Sequence, residues 1–304
     1  MKRSRWIKRR YFRRVRVRAA ERYFILAAAV MLIVLVAVVI YNIITPNKAE
    51  ARWEDISALR IPYDSFHELE TLSNKYSLEF SELLTIYCQD YNFFPEKSAA
   101  PVPGEIEKEY ILNYSKVKGR VEDKKTDEYE KMFRNILTEL RTFPIPSDYS
   151  DDEYVFADSW GSARNYGADR KGSRIHEGTD ILDRENIRGR LPIVSMTDGE
   201  IQNFGWNELG GFYVGITTVN ETYYYYAHMD SFAPNLEKGM SIRAGDFLGY
   251  MGDTGYGKEG ERGNFPVHLH IGICPKAEFT DKEFWINPYV FLRSLDEIEI
   301  SESL

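Results

Sequence analysis

Five histidines occur in this chain of 304 residues: His67, His176, His228, His268 and His270. The last two stand one residue apart in FPVHLHIGI, residues 265–273, where Phe265, Val267, Leu269, Ile271 and Ile273 occupy alternate positions. That period-2 pattern is a half-buried strand, so both imidazoles face one side with the aliphatic set packed behind them. RIHEGTDI sets His176 and Asp180 four apart. A straight strand would hold those two ~13 Å from each other on one side, and Gly178 between them lets the chain bend so that both reach one ion. YYYYAHMD ends another strand at His228. Zinc takes imidazole nitrogen and carboxylate oxygen, and a catalytic site uses three protein ligands. Two histidines and an aspartate make such a set, and two further histidines remain for proton transfer and stabilisation of the transition state. Spacing alone does not say which histidine does which. His67 lies in a helical segment with no partner nearby and reads as an ordinary surface or packing histidine.

The elements that must position these residues begin near Asp151. Candidate strands are Pro192–Met196, Gly199–Phe204, Gly211–Val219, Thr222–His228, Phe247–Met251 and Val267–Cys274, parted by Gly- and Asp-rich turns. Many short strands with few helical runs predict an antiparallel sheet or sandwich of about 150 residues. In the run Tyr223 to Tyr226, ordinary sheet-face packing accounts for most of the four rings. Alternation allows only one pair of them to share a face with His228. Ahead of this half, Ser65 to Tyr91 and Glu105 to Arg141 carry apolar residues at helical spacing, with Pro95, Pro101, Pro103 and Gly104 between them and a linker from Phe143. The length predicts more than one module, and a composition 43% hydrophobic and 14% aromatic is enough for a real core.

HEGTD, DGEI, GG, YYAHMD, KGMSIRAGDFLGYMGDTG, HLHIGI and INP follow one another between about Trp160 and Leu292. In order and spacing they resemble the lysostaphin-type zinc endopeptidases, the M23 or LytM-like family. The resemblance implies a mainly β, LytM-like C-terminal domain in which His176, Asp180 and His270 bind Zn2+. It assigns catalysis to His228 and His268, leaving open which of the two is the base. All five positions are filled. Three departures stand out: a long stretch between Gly255 and His268, Thr179 where an aliphatic residue is common, and YAHMD where YAHL is usual. Residues 46–150 match no pattern of the family.

Residues 1–22 hold eleven Lys or Arg and one acid, a net of +10; the whole chain is −8, so the remainder carries −18. The uncharged run from Tyr23 to Ile44 follows at once and has the length of a membrane-spanning helix. Positive residues stay inside, which predicts a single-pass type II protein of the cell membrane with everything after Pro46 outside. A basic segment tied to a membrane span, followed by an acidic remainder, excludes a nucleic-acid binder. The expected organisation is a cytoplasmic tail (1–22), a transmembrane helix (23–44), a helical region with linker (45–150) and a peptidase domain (151–304). The expected function is cleavage of peptide bonds in cell-wall peptidoglycan, with the bilayer as a second partner and a protein partner possible for 45–150. The alternative is a silent LytM-like scaffold that binds a partner, for example in cell division or sporulation. Cys88 and Cys274 read as two unpaired thiols, and Cys274 is too far along its strand from His270 to share an ion.

Overall fold

Alternation of buried aliphatic and polar positions builds most of the β-rich half. The computed structural model describes residues 53–91, 93, 104–121, 125–149, 152–164, 174–280 and 282–303. The basic tail and the apolar run 23–44 lie outside these residues. No helix among the described residues is long and apolar enough to cross a membrane.

Among the described residues one antiparallel sheet has nine strands. These are β1 (Tyr154–Phe156), β4 (Thr179–Asp183), β5 (Pro192–Val194), β6 (Gly199–Asn207), β7 (Gly211–Thr217), β8 (Tyr223–Phe232), β9 (Ser241–Ile242), β10 (Phe247–Met251) and β11 (His268–Cys274). A separate small ribbon pairs β2 (Ala163–Arg164) with β3 (Arg174–Ile175). The order β1-β4-β11-β8-β7-β6-β9 puts β11 at the middle, between β4 and β8, while β10 joins β5 to β8. On β11, Leu269, Ile271 and Ile273 are fully buried, as the period-2 pattern requires.

The helices are α1 (Trp53–Ala58), α2 (Tyr63–Tyr76), α3 (Phe80–Asp90), α4 (Tyr114–Val121), α5 (Thr126–Glu139) and α6 (Tyr289–Ser303), with one π-helical turn at Glu107–Ile111. The first helical run of the sequence is therefore two helices. It breaks where Ser77 adopts a left-handed conformation and the Leu78 amide donates to the Ser73 carbonyl, an αL stop at the end of α2.

Residues 51–304 form one compact unit, within which the expected boundary at 150 falls. A single apolar core runs from Ile56 to Leu295. Phe66 of α2 meets Phe80 edge-on at 5.1 Å and Phe291 of α6 at 5.8 Å. Phe143 stacks on Tyr154 at 5.3 Å, across that boundary. Buried Glu139, at the end of α5, accepts hydrogen bonds from Thr218 Oγ1 (2.7 Å), Asn220 Nδ2 (2.9 Å) and Tyr224 OH (3.2 Å). Asn287 of the INP motif donates to the Ala58 carbonyl (3.1 Å) and to Asp158 (3.0 Å), and its Oδ1 caps α6 by accepting from the Tyr289 amide.

A core shared in this way predicts that damage in the helices unfolds the sheet. Phe66→Ala removes a ring that is 1% exposed and should cost about 3–5 kcal/mol. Urea unfolding followed in parallel by far-UV circular dichroism and tryptophan fluorescence should show one transition, displaced equally in both signals. A fluorescence transition left in place would mean two independent cores.

Candidate metal and catalytic centre

Three of the five predicted residues meet at one point. His176 Nε2 lies 3.0 Å from Asp180 Oδ1, His270 Nδ1 lies 2.9 Å from the same oxygen, and the two ring nitrogens are 2.9 Å apart. Asp180 and His270 are cross-strand neighbours in the β4–β11 register. His176 arrives from outside the sheet because the chain bends at Gly178. Gly178 passes directly under the His270 ring, and a Cβ there would collide with that ring and with the Ile271 carbonyl oxygen. The glycine thus gives both the bend and the close approach.

The donor set fits a divalent ion of the zinc type. The His176 Nδ1 proton goes to the Ser159 carbonyl at 3.0 Å, since a carbonyl can only accept. That leaves the Nε2 lone pair facing Asp180 and His270, the outer hydrogen bond that orients a ligating imidazole. Bonds of about 2.0 Å to a tetrahedral ion imply donor separations of about 3.3 Å, slightly wider than those here. Burial works to raise the Asp180 carboxyl, but the surrounding imidazoles of His176, His270 and His268 outweigh it and hold the group well below the usual carboxylate range. It is therefore a buried anion, the charge that a cation site requires. Two nitrogens and one carboxylate oxygen, all within 4.8 Å of one another, form a group of this kind.

His228 and His268 stand beside this set. Their ring centroids are 4.6 Å apart, and His228 is 6.1 Å from the His270 ring. Each carries its Nδ1 proton to a backbone carbonyl, His228 to Thr254 (2.7 Å) and His268 to Pro266 (2.8 Å). Both Nε2 atoms are thereby left for the centre, and His268 Nε2 lies 3.8 Å from Asp180 Oδ1. Burial pushes His228 well below the ordinary imidazole range, and the neighbouring His268 and His270 push the same way. Thr254 fixes His228 from two directions, because its Oγ1 also donates to the Met229 carbonyl and accepts from the Phe212 amide. His67 is exposed on α2 and takes no part.

His228 reaches the centre through a break in its strand. Its φ is +63°, a conformation that side chains other than glycine rarely adopt and that recurs at functional sites. The register of β7 against β8 shifts between Phe212 and Val214, and the His228 amide turns to the Gly210 carbonyl. This bulge moves His228 onto the face of Tyr223, Tyr225 and Ala227. Strict alternation would have grouped it with Tyr224 and Tyr226, which are fully buried, with hydroxyls on Glu139 and the Met196 amide.

The centre opens into a cleft of about 630 Å³ whose lining includes Arg174, Glu177, Asn203, Asn207, Tyr213, Tyr223, Tyr225, Glu283 and Trp285. Among the described residues none ahead of Arg174 lines it, so the described helices leave the site open. Several of these residues carry no motif. Asn203 and Asn207 could have been noticed as amides of one strand, spaced to share a face; they hold the Tyr223 and Tyr225 hydroxyls at 2.8 and 2.7 Å. The long 256–267 stretch forms a side wall. Tyr256 lines the cleft, and Phe265 packs edge-on against His228 (4.7 Å) and His268 (5.0 Å). Arg262 of this stretch pairs with Asp230 of YAHMD and also donates to the Asp230 carbonyl at 3.2 Å. The long connection is thus tied to the strand that carries His228. Thr179, a further departure, is fully buried, with its hydroxyl unpartnered. Cys88 and Cys274 are free thiols.

Metal content separates the two histidine classes. His176→Ala, Asp180→Ala and His270→Ala should each abolish binding of about one zinc per chain, whereas His228→Ala, His268→Ala and His67→Ala should keep it. Gly178→Ala should weaken zinc binding ~10–100-fold by displacing His270. Atomic absorption and competition with a chromogenic chelator measure both, and full occupancy in Asp180→Ala would refute the donor set.

The sequence profile of peptidase family M23 matches residues 174–282. The chain is 37% identical over 177 residues to the L-Ala–D-Glu endopeptidase of Bacillus subtilis (strain 168), a match covering 57% of this chain and 50% of the other. It therefore spans about half the length of that curated relative. The crystal structure of a Ruminococcus gnavus ATCC 29149 protein, provisionally assigned as a glycyl-glycine endopeptidase lytM, is also 37% identical, with a TM-score of 0.62. That match covers 80% of this chain and 90% of the other. A share of 80% exceeds the β-rich half, so part of the chain ahead of residue 151 is matched there as well. A relative this similar, covered over nine-tenths of its length, places the chain in peptidase family M23.

Proposed function

We propose that this protein is a zinc-dependent endopeptidase that hydrolyses peptide bonds of cell-wall peptidoglycan. The observation that carries the proposal is the convergence of His176, Asp180 and His270 with the imidazoles of His228 and His268 at the base of one open cleft. The names of the two relatives also support it, since L-Ala–D-Glu and glycyl-glycine linkages are both peptide bonds found in peptidoglycan.

His176 Nε2, Asp180 Oδ1 and His270 Nδ1 would hold the ion. When bound, zinc supplies Lewis acidity, which polarises a carbonyl and acidifies water. The rest of the reaction belongs to the side chains. A water oxygen joins the scissile carbonyl carbon, the C–N bond breaks, and the nitrogen departs as an amine after gaining a proton. Each of His228 and His268 presents an Nε2 lone pair fixed by the Nδ1 hydrogen bond behind it. Between them they take the proton from water, deliver it to the departing nitrogen, and stabilise the oxyanion. Phe265 and Tyr256 exclude water from the outer side of the His228 ring, which keeps it neutral and able to accept.

The full-length protein with zinc should release peptidoglycan fragments that bear new free amino groups while the glycan strands stay intact. His268→Ala should lower the rate 10²- to 10⁴-fold with zinc retained. Mass spectrometry of digests from walls with several types of cross-link reads both. No new amine on any wall, from a folded zinc-loaded protein, would favour the scaffold.

We further propose that the run 23–44 anchors the chain in the cell membrane, with the basic tail inside and the peptidase outside, where its substrate lies. Protease added to protoplasts should remove the C-terminal half and spare an N-terminal tag. Protection of that half would reverse the orientation.

A further inference from the structure

Among the described residues one cation, Arg174, lines the cleft. Arg174 lines it from β3, two residues before His176, so their Cα atoms are about 7 Å apart along extended chain. Its positive charge acts on the Tyr225 hydroxyl at the cleft floor, working to lower that group's pKa against the effect of burial. Among the described residues Arg174 makes no ion pair. Other arginines of the β-rich half are committed: Arg188 to Asp253, Arg190 to Asp183 and Glu153, Arg262 to Asp230, and Arg293 to Asp296. Two carboxylates, Glu177 and Glu283, line the same cleft, and neither is paired with it.

The two relatives carry names for different bonds, and the bonds differ in charge. A glycine bridge presents no side chain and no charge beside the scissile bond. In a peptidoglycan stem, D-Glu continues the chain through its γ-carboxyl group. Its α-carboxylate is left free, with the carboxyl carbon about 2.5 Å from the scissile nitrogen. When the L-Ala carbonyl lies against the His176–Asp180–His270 set, this carboxylate falls within the reach of an arginine side chain rooted two residues away. A planar guanidinium matches a carboxylate with two parallel hydrogen bonds.

Resting on the peptidoglycan-peptidase reading, we propose that Arg174 determines specificity by pairing with a free carboxylate on the residue just after the scissile bond. The preferred substrate is then the L-Ala–D-Glu bond of the stem peptide and not a glycine bridge.

The test uses the full-length zinc-loaded protein in detergent and three synthetic peptides. These are an L-Ala–γ-D-Glu–L-Lys stem, the same stem with its α-carboxylate converted to the carboxamide, and pentaglycine. The carboxylate stem should be cleaved with a kcat/KM ~10–100-fold above the carboxamide, the range of a charge-assisted hydrogen bond. Arg174→Gln should bring the ratio of the two stems close to one, mainly through KM, with zinc content retained. Arg174→Lys should restore part of the preference. Equal rates on both stems, or an equal loss on both in Arg174→Gln, would overturn the role of Arg174 and leave the peptidase reading intact. Cleavage of pentaglycine alone would overturn the stem assignment as well. Cleavage of none of the three, nor of whole peptidoglycan, would remove the peptidase reading and this inference with it.

Discussion

An ionised carboxylate held between two imidazoles is the constraint on which the centre depends, and most of the β-rich half can be understood as its support. Asp180 is largely out of water, where an uncompensated charge is worth several kcal/mol of penalty. Compensation needs nitrogens at about 3 Å, and the chain delivers them in two ways. His270 comes from the adjacent strand at the matching register position, which is why β11 lies beside β4 at the centre of the sheet. His176 comes from the same strand's approach, folded back by a residue without a side chain.

The same economy governs His228 and His268. Neither His228 nor His268 depends on a carboxylate to set its tautomer; backbone carbonyls of Thr254 and Pro266 do so. Carbonyls orient a ring without adding a negative charge to that of Asp180. The helices contribute at a distance. Glu139 ties the turn between β7 and β8 to α5, and the asparagine of INP ties α1 to the start of α6. The strands that carry the site are thus held from behind by a helical layer.

How much of this was legible in the sequence depended on the range over which each signal acts. The shared face of His268 and His270 was readable because period-2 alternation is local and its aliphatic side is unambiguous. The meeting of His176 with Asp180 needed only a bend at a visible glycine. The partition of the tyrosines was not readable: the bulge at His228 inverts the alternation there, and nothing in YYYYAHMD announces a left-handed residue. The unity of helices and sheet was also hidden, because Phe66 and Phe291 are far apart in the chain and each looks like an ordinary core residue in its own segment. Glu139, a charge on an amphipathic helix, reads as solvent-facing until Tyr224 and Thr218 are found above it.

The pairing of Arg262 with Asp230 gives the cleft wall an inheritance of its own. Asp230 lies two residues after His228, and Arg262 lies in the long connection; in space they are one joint. Neither partner is neutral to lose alone. A short turn placed opposite Asp230 would leave a partly covered carboxylate facing no cation, and the long connection without Asp230 opposite it would lose its anchor and let Phe265 drift from the imidazoles. A grafted or recombined version of this protein therefore has to carry both segments together, and lineages that acquired the wall would be expected to hold or lose the aspartate with it.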